Sequence, residues 1–298
     1  MNLFDQLVRQ AMKSKAGLEP LRVVVEKELL HHDIIREMGT AGFLNNLTFI
    51  GETCLRACYG SSRLSGDLDF TGGKSFNRKT LSDLAGVLVN RLEAKYGLNV
   101  TVDEPKRVTG NVDTWKMKVI TRPEQKALPS QKINIDICTI PSYDRRPMML
   151  RNHYGVEMGT SGLIIQAQSR EEILADKLVA LALRANQLKN RDLWDIVWLK
   201  QQGIDLPLDL VHKKILDHQR STADFLKLLN ERKSQLQRNP VLHQNFIREM
   251  KRFLPVHIVV ETIENEDFWG YLTSLVCAEC EKVAKVVGND SEPLKFKM

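Results

Sequence analysis

The chain of 298 residues has no run of about eighteen apolar residues, so no helix of membrane-spanning length is expected. Its first residues, Met1-Asn2-Leu3-Phe4-Asp5, lack the basic-then-apolar order of a secretory leader, and secretion is not expected either. Cysteine is scarce and odd in number, five in all, which argues against a disulfide scaffold and for a reducing compartment. Cys277 and Cys280 have no second matching pair and the seven histidines show no ligand spacing, so zinc is not expected. Cys54 and Cys58, four apart, read as core residues. No internal repeat is visible. These absences leave a globular protein of the cytoplasm.

What is present is ordinary in bulk and uneven in detail. Hydrophobic residues make up 43% and charged residues 27%, as in folded proteins generally. Lys and Arg exceed Asp and Glu by 43 to 37, a net charge of +6. That excess equals the excess within one stretch. There Lys213, Lys214, Arg220, Lys227, Arg232, Lys233, Arg238, Arg248, Lys251 and Arg252 outnumber Asp217, Asp224, Glu231 and Glu249. Such a face suits a nucleic-acid backbone, and equally a solvated helical surface.

Hydrophobic spacing predicts a helix over 19–38, stopped by Gly39, and a short strand over 47–50 that ends at Gly51. A helical segment to residue 59, a strand over 67–70 and a helix over 78–95 closed by Gly97 follow. Strands are expected over 98–102, 112–121 and 132–139; in the last, Ile133, Ile135 and Ile137 take one face, Asn134, Asp136 and Cys138 the other. From 169 to about 280 the signal is helical throughout, and 288–298 reads as a tail. The fold class is therefore α+β, a mixed-sheet core over 1–160 and a helical domain over 161–298 that contributes to the active site.

Three acids stand out. Asp67 and Asp69, two apart in a strand, project from one face about 7 Å apart. Asp136, between isoleucines on its own strand, can lie beside them. Two carboxylates about 4 Å apart repel by about 4 kcal/mol at an effective dielectric of about 20, and a divalent cation with oxygen ligands relieves this. The plainer reading is a pair of solvent-facing acids on an edge strand. Gly51, ending a strand and opening a helix, offers free backbone N–H groups to a phosphate. Arg56 lies in that helix and Arg63 in the loop before the acids.

The stretch from Leu47 through Gly51-Glu52-Thr53, Arg63 and Ser65 to Asp67-Leu68-Asp69-Phe70 resembles the first motif of the AbiEii/AbiGii toxin family of polymerase-β-type nucleotidyltransferases. Lys132-Ile-Asn-Ile-Asp136 is similar to its second motif, Ser169-Arg-Glu171-Glu172-Ile-Leu-Ala-Asp-Lys177 to its third, and Arg191-Asp192-Leu-Trp-Asp195 to its fourth. Four motifs in order are far more specific than one. The resemblance implies a polymerase-β-like core and a metal-dependent transfer of a nucleoside monophosphate from an NTP. It implies Mg²⁺ or Mn²⁺ on Asp67, Asp69 and Asp136, and a nucleotide held by Gly51, Glu52, Thr53, Arg63, Ser65, Lys132, Glu172, Arg191 and Asp192. Lys177 would neutralise the pyrophosphate, and Asp195 is a candidate base. A toxin–antitoxin or phage-defence role, a cognate antitoxin and an RNA acceptor, such as the tRNA 3′ end, come with it. One departure is Glu52, where the family usually has Gly or Ser: a carboxylate there repels a triphosphate unless it points away or joins the metal shell.

The later motifs have structural readings of their own. Ser169 with Glu172 makes a capping box. Arg191 and Asp195, four apart, could pair with each other. Lys177 falls inside the apolar stripe of its helix and needs an anionic partner. Two other functional readings also fit the sequence: transfer to a protein or small-molecule hydroxyl, and a non-catalytic nucleotide- or RNA-binding module.

Overall fold

The computed structural model describes residues 2–106, 110–124, 129–184 and 188–289. They form two compact units, Met1–Gln168 with Phe253–Pro255, and Ser169–Arg252 with Val256–Met298.

The first unit opens with α1 (Leu3–Ser14), capped by the Asn2 side chain, which accepts the Asp5 N–H at 2.8 Å. Its apolar residues Phe4, Val8 and Ala11 recur at helical spacing and are fully buried. After α2 (Arg22–Thr40) the chain enters β1 (Thr48–Ile50), turns through Gly51 into α3 (Gly51–Cys54), and continues as a single π-turn, Leu55–Tyr59. Next come β2 (Leu68–Thr71), α4 (Leu84–Tyr96), β3 (Val100–Asp103), β4 (Val112–Val119), β5 (Gln131–Cys138), β6 (Arg145–Met149) and β7 (Ile164–Gln168).

Among the described residues these strands make one seven-stranded mixed sheet, ordered β3-β4-β5-β2-β1-β7-β6. β2 is central: it runs antiparallel to β1 and parallel to β5, so the acids of residues 67–69 are not on an edge strand. The expected alternation in β5 is present, with Ile133, Ile135 and Ile137 buried and Asn134, Asp136 and Cys138 half-buried. On the apolar face Phe49 packs on Phe70 across β1 and β2, ring centroids 5.1 Å apart. The unit runs past residue 160 because β7 pairs in parallel with β1, Ala167 opposite Phe49. The edge strand β6 tolerates Pro147, which has no N–H to give to a ladder.

The second unit is helical: α5 (Arg170–Leu183), α6 (Asn190–Gln201), α7 (Leu208–Asp217), α8 (Thr222–Arg238), α9 (Pro240–Met250), α10 (Val256–Ile258) and α11 (Glu266–Asn289). Phe225, Leu229, Phe246, Leu272, Val276 and Val283 are buried in it. Cys277 and Cys280 are buried on α11, and all five cysteines are free thiols. Residues 288 and 289, placed in the tail by sequence, end α11, and 290–298 lie outside the described residues. No helix of the described residues is long and apolar enough to cross a membrane.

Candidate active site

The site grows from the β1–Gly51–α3 corner. Gly51 has φ +73°, a left-handed conformation that a β-carbon disfavours. It also has no room for one: a Cβ there would stand 3.1 Å from Asp69 Oδ2. The corner is glycine because the chain must bend sharply and because it bends against a carboxylate.

Register brings the acids together. Ile50 is paired with Asp69 across β1 and β2, and Asp69 with Asp136 across the parallel pair β2 and β5. Adjacent strands lie about 4.8 Å apart, so residues in register present side chains as neighbours on one face. Asp67, two before Asp69, takes the same face, and its Oδ1 accepts the Asn134 N–H of β5 at 2.9 Å. All three acids are half-buried. Lys132, four residues before Asp136 on the same face, is exposed.

The loop carrying Asp67 is fixed from below by buried polar groups. The Thr53 hydroxyl donates to the Asp67 carbonyl and bonds the Ser65 hydroxyl, which ties the start of α3 to the loop. Thr53 and Ser65 are both buried, so the structure gives them a bracing task. The Ser65 N–H donates to Glu28 Oε1 at 3.0 Å, and Arg56 Nε donates to the same oxygen at 3.0 Å. Tyr154 donates its hydroxyl to Glu28, and Arg56 Nη1 reaches the Ser61 carbonyl at 2.8 Å. Burial pushes the Glu28 carboxyl up, but Arg56 and then the Tyr154 hydroxyl oppose it, and the net shift is downward. Burial lowers the neighbouring His31 to about 4 against the raising influence of Glu28, so this imidazole is neutral at pH 7. Sequence reasoning did not single out Glu28, His31 or Tyr154; the partners of Glu28, namely Arg56, Ser65 and Tyr154, are distant in the chain.

Glu52 turns inward. Its Oε2 lies 3.3 Å from Arg63 Nη2, with Glu52 5% and Arg63 1% exposed. The acid that would repel a triphosphate is thus directed away from solvent and neutralised by an arginine expected to bind the nucleotide. Glu52 and Arg63, both expected at the nucleotide, are thus paired with each other in the interior.

In the second unit the anionic partners that Lys177 requires are Asp192 Oδ1 at 2.6 Å and Asp195 Oδ2 at 2.8 Å. Burial raises the Asp192 carboxyl, Lys177 lowers it, and the net shift is downward. Arg191 does not pair with Asp195; its Nε meets Glu249 Oε1 at 3.1 Å. Ser169 caps α5 as expected, accepting the Glu172 N–H at 3.1 Å, whereas the Glu172 carboxylate is buried against Lys214 Nζ at 2.6 Å. Lys214 and Arg232, counted in the basic face from sequence, are buried and leave it smaller.

The sequence profile of the family described as nucleotidyl transferase AbiEii toxin, type IV toxin–antitoxin system, matches residues 33–274. The chain belongs to the AbiEii toxin family and is a nucleotidyltransferase. Among solved structures it is similar to the nucleotidyltransferase toxin MenT4 from Mycobacterium tuberculosis, with 15% identity, a TM-score of 0.51, and 95% of this chain and 98% of that one covered. It also matches JHP933 from Helicobacter pylori, with 17% identity, a TM-score of 0.44, and 89% and 99% covered. MenT4 at this identity speaks for the fold. No curated protein sequence matches. The AbiEii profile spans both units and all four motifs.

The residues can be weighed against a divalent cation. Asp67, Asp69 and Asp136 offer only oxygen donors, which suit a hard cation such as Mg²⁺, and their register makes them neighbours. Among the described residues no group of three or more His, Cys, Asp or Glu is placed to hold a metal ion. An open set of carboxylates is the arrangement Mg²⁺ uses when water and substrate phosphates complete its shell.

Proposed function

We propose that this nucleotidyltransferase moves a nucleoside monophosphate from an NTP to RNA, with the tRNA 3′ end as acceptor, and that Asp67, Asp69 and Asp136 hold Mg²⁺ or Mn²⁺ for the purpose. The observation that carries the reading is the register of Asp69 with Asp136 beside the glycine corner at Gly51. Two carboxylates adjacent in register on central strands and half-buried offer the oxygen donors that a divalent cation takes.

In the transfer, the acceptor hydroxyl oxygen attacks the α-phosphorus, the bond to the bridging oxygen of the β-phosphate breaks, and pyrophosphate leaves. The bound metal supplies charge neutralisation on the phosphate oxygens. The chain's own part is positioning. Gly51 lets the backbone approach closely, and the Thr53–Ser65–Glu28 brace holds Asp67 in place. Asp136 flanks the site from β5 and favours loss of the acceptor proton.

A role in a toxin–antitoxin pair implies a cognate antitoxin, which acts on the protein itself or on its target. The acceptor is tested by incubating the protein with each labelled NTP and, separately, tRNA, lysate protein and an aminoglycoside. Label in tRNA supports the reading; label in protein or aminoglycoside alone keeps the chemistry and replaces the acceptor.

A further inference from the structure

Within the second unit, a cavity of about 500 Å³ opens at the start of α6 and along α9. That volume lies in the range of small-ligand sites. Its lining is strongly cationic, with Arg184, Lys189, Arg191, Arg248 and Arg252 against one acid, Glu249. The acid's charge is already engaged: Glu249 Oε1 meets Arg191 at 3.1 Å, and Oε2 accepts from Asn190 Nδ2 at 2.9 Å. Arg184 stands 3.0 Å from Asp192. Arg248 on α9 and Arg252 in the turn just after it are both exposed and have no carboxylate partner among the described residues; Arg248 donates only to Asn245 Oδ1, at 2.6 Å. The start of α6 adds its own positive end, since Lys189 at the cap position makes no side-chain capping bond. All of this asks for an anion.

Asn190 asks for something else. It is 7% exposed, and its Oδ1 is buried without a hydrogen-bond donor. The amide cannot be turned round, because its nitrogen is the atom a carboxylate oxygen of Glu249 requires. A fully ionised anion such as sulfate brings acceptors only and leaves Oδ1 unsatisfied, at a cost typical of a buried lone polar atom. The occupant therefore carries anionic oxygens and a hydroxyl donor together.

We propose that this pocket binds a ribose phosphate, with the phosphate on Arg248 and Arg252 and a sugar hydroxyl donating to Asn190 Oδ1. A 2′-hydroxyl is what separates RNA from DNA at such a contact. The pocket is built wholly from the second unit, so the inference does not rest on the carboxylates of the first unit or on transfer. A free ribonucleotide and an RNA strand share this chemistry.

The test is fluorescence anisotropy on the full chain, without transfer, using a labelled single-stranded ribo-oligonucleotide, its deoxy counterpart, and ATP as competitor. Tighter binding of the ribo strand is expected. Arg248→Ala and Arg252→Ala should each weaken it about tenfold and reduce the salt slope by about one. Asn190→Ala should erase the preference for ribo over deoxy while leaving deoxy binding in place. Competition by ATP that both arginine variants abolish assigns the pocket to free nucleotide, and its absence assigns it to the strand. Equal affinity for ribo and deoxy strands overturns the proposal, as do arginine variants that bind like the parent. These arms use exposed residues or the parent protein and stand even where Asn190→Ala fails to fold.

Discussion

Gly51 and Asp69 occupy one corner of the sheet so closely that a β-carbon on the first would stand 3.1 Å from a carboxylate oxygen of the second. The same residue holds φ +73°, so strain and crowding coincide at the mouth of the carboxylate group. Gly51→Ala should cost about 1–2 kcal/mol in stability and displace Asp69. Urea unfolding reads the first effect and label transfer the second, with transfer falling far more than the folded fraction.

Binding of Mg²⁺ to the carboxylates should stabilise the folded chain by linkage, about 2.7 kcal/mol when the ion is at about a hundred times its dissociation constant. Thermal melts with and without Mg²⁺ should therefore separate for the parent protein. For Asp69→Asn combined with Asp136→Asn they should coincide. A shift that survives in the double variant places the ion elsewhere.

The buried pair Glu52–Arg63 makes a different prediction, about folding. Removing Arg63 alone, as Arg63→Met, leaves a carboxylate 5% exposed without its arginine, and such losses cost about 3–5 kcal/mol. Adding Glu52→Gln should recover much of that cost. Urea midpoints of the single and double variants check it; a double variant as unstable as the single one would mean that Glu52 is satisfied by other groups.

Much of this arrangement was legible in the sequence. Alternation fixed the faces of β5, and the four ordered motifs pointed to the family that the profile match shows. Other parts were not. β6 carries Arg145, Arg146 and Pro147, a poor strand by composition, and is tolerated because it lies at an edge. β7 follows the glycines 159 and 162 and exposes Ile164, so it looks like a linker until its distant partner β1 is known. α1 did carry a signal, the spacing of Phe4, Val8 and Ala11 behind an Asn cap. The ion pairs were the least accessible. Nothing local to Glu52, Arg191 or Lys214 says that Arg63, Glu249 and Glu172 are their partners.

Acid should unfold the chain for a stated reason. Burial lowers His31 from 6.5 to about 4, and His153 likewise. Between those values the unfolded chain binds more protons than the folded one, so stability is full above pH 6.5 and is lost as pH falls towards 4. For His31 the loss approaches about 3 kcal/mol, from roughly two and a half pH units of proton linkage. Glu28, held below 4.5, adds a further loss at lower pH. Urea midpoints measured from pH 7.5 to 4 should fall steadily, and His31→Asn should flatten the upper part of that decline.

The claim on which the account depends is that the acids beside Gly51 carry the transfer. The direct measurement is label transfer from α-³²P-labelled NTPs to total RNA by the parent protein and by Asp67→Asn with Asp69→Asn, both shown to be folded by circular dichroism. Transfer by the parent and none by the variant is the predicted result. Equal transfer by a folded double variant would contradict it.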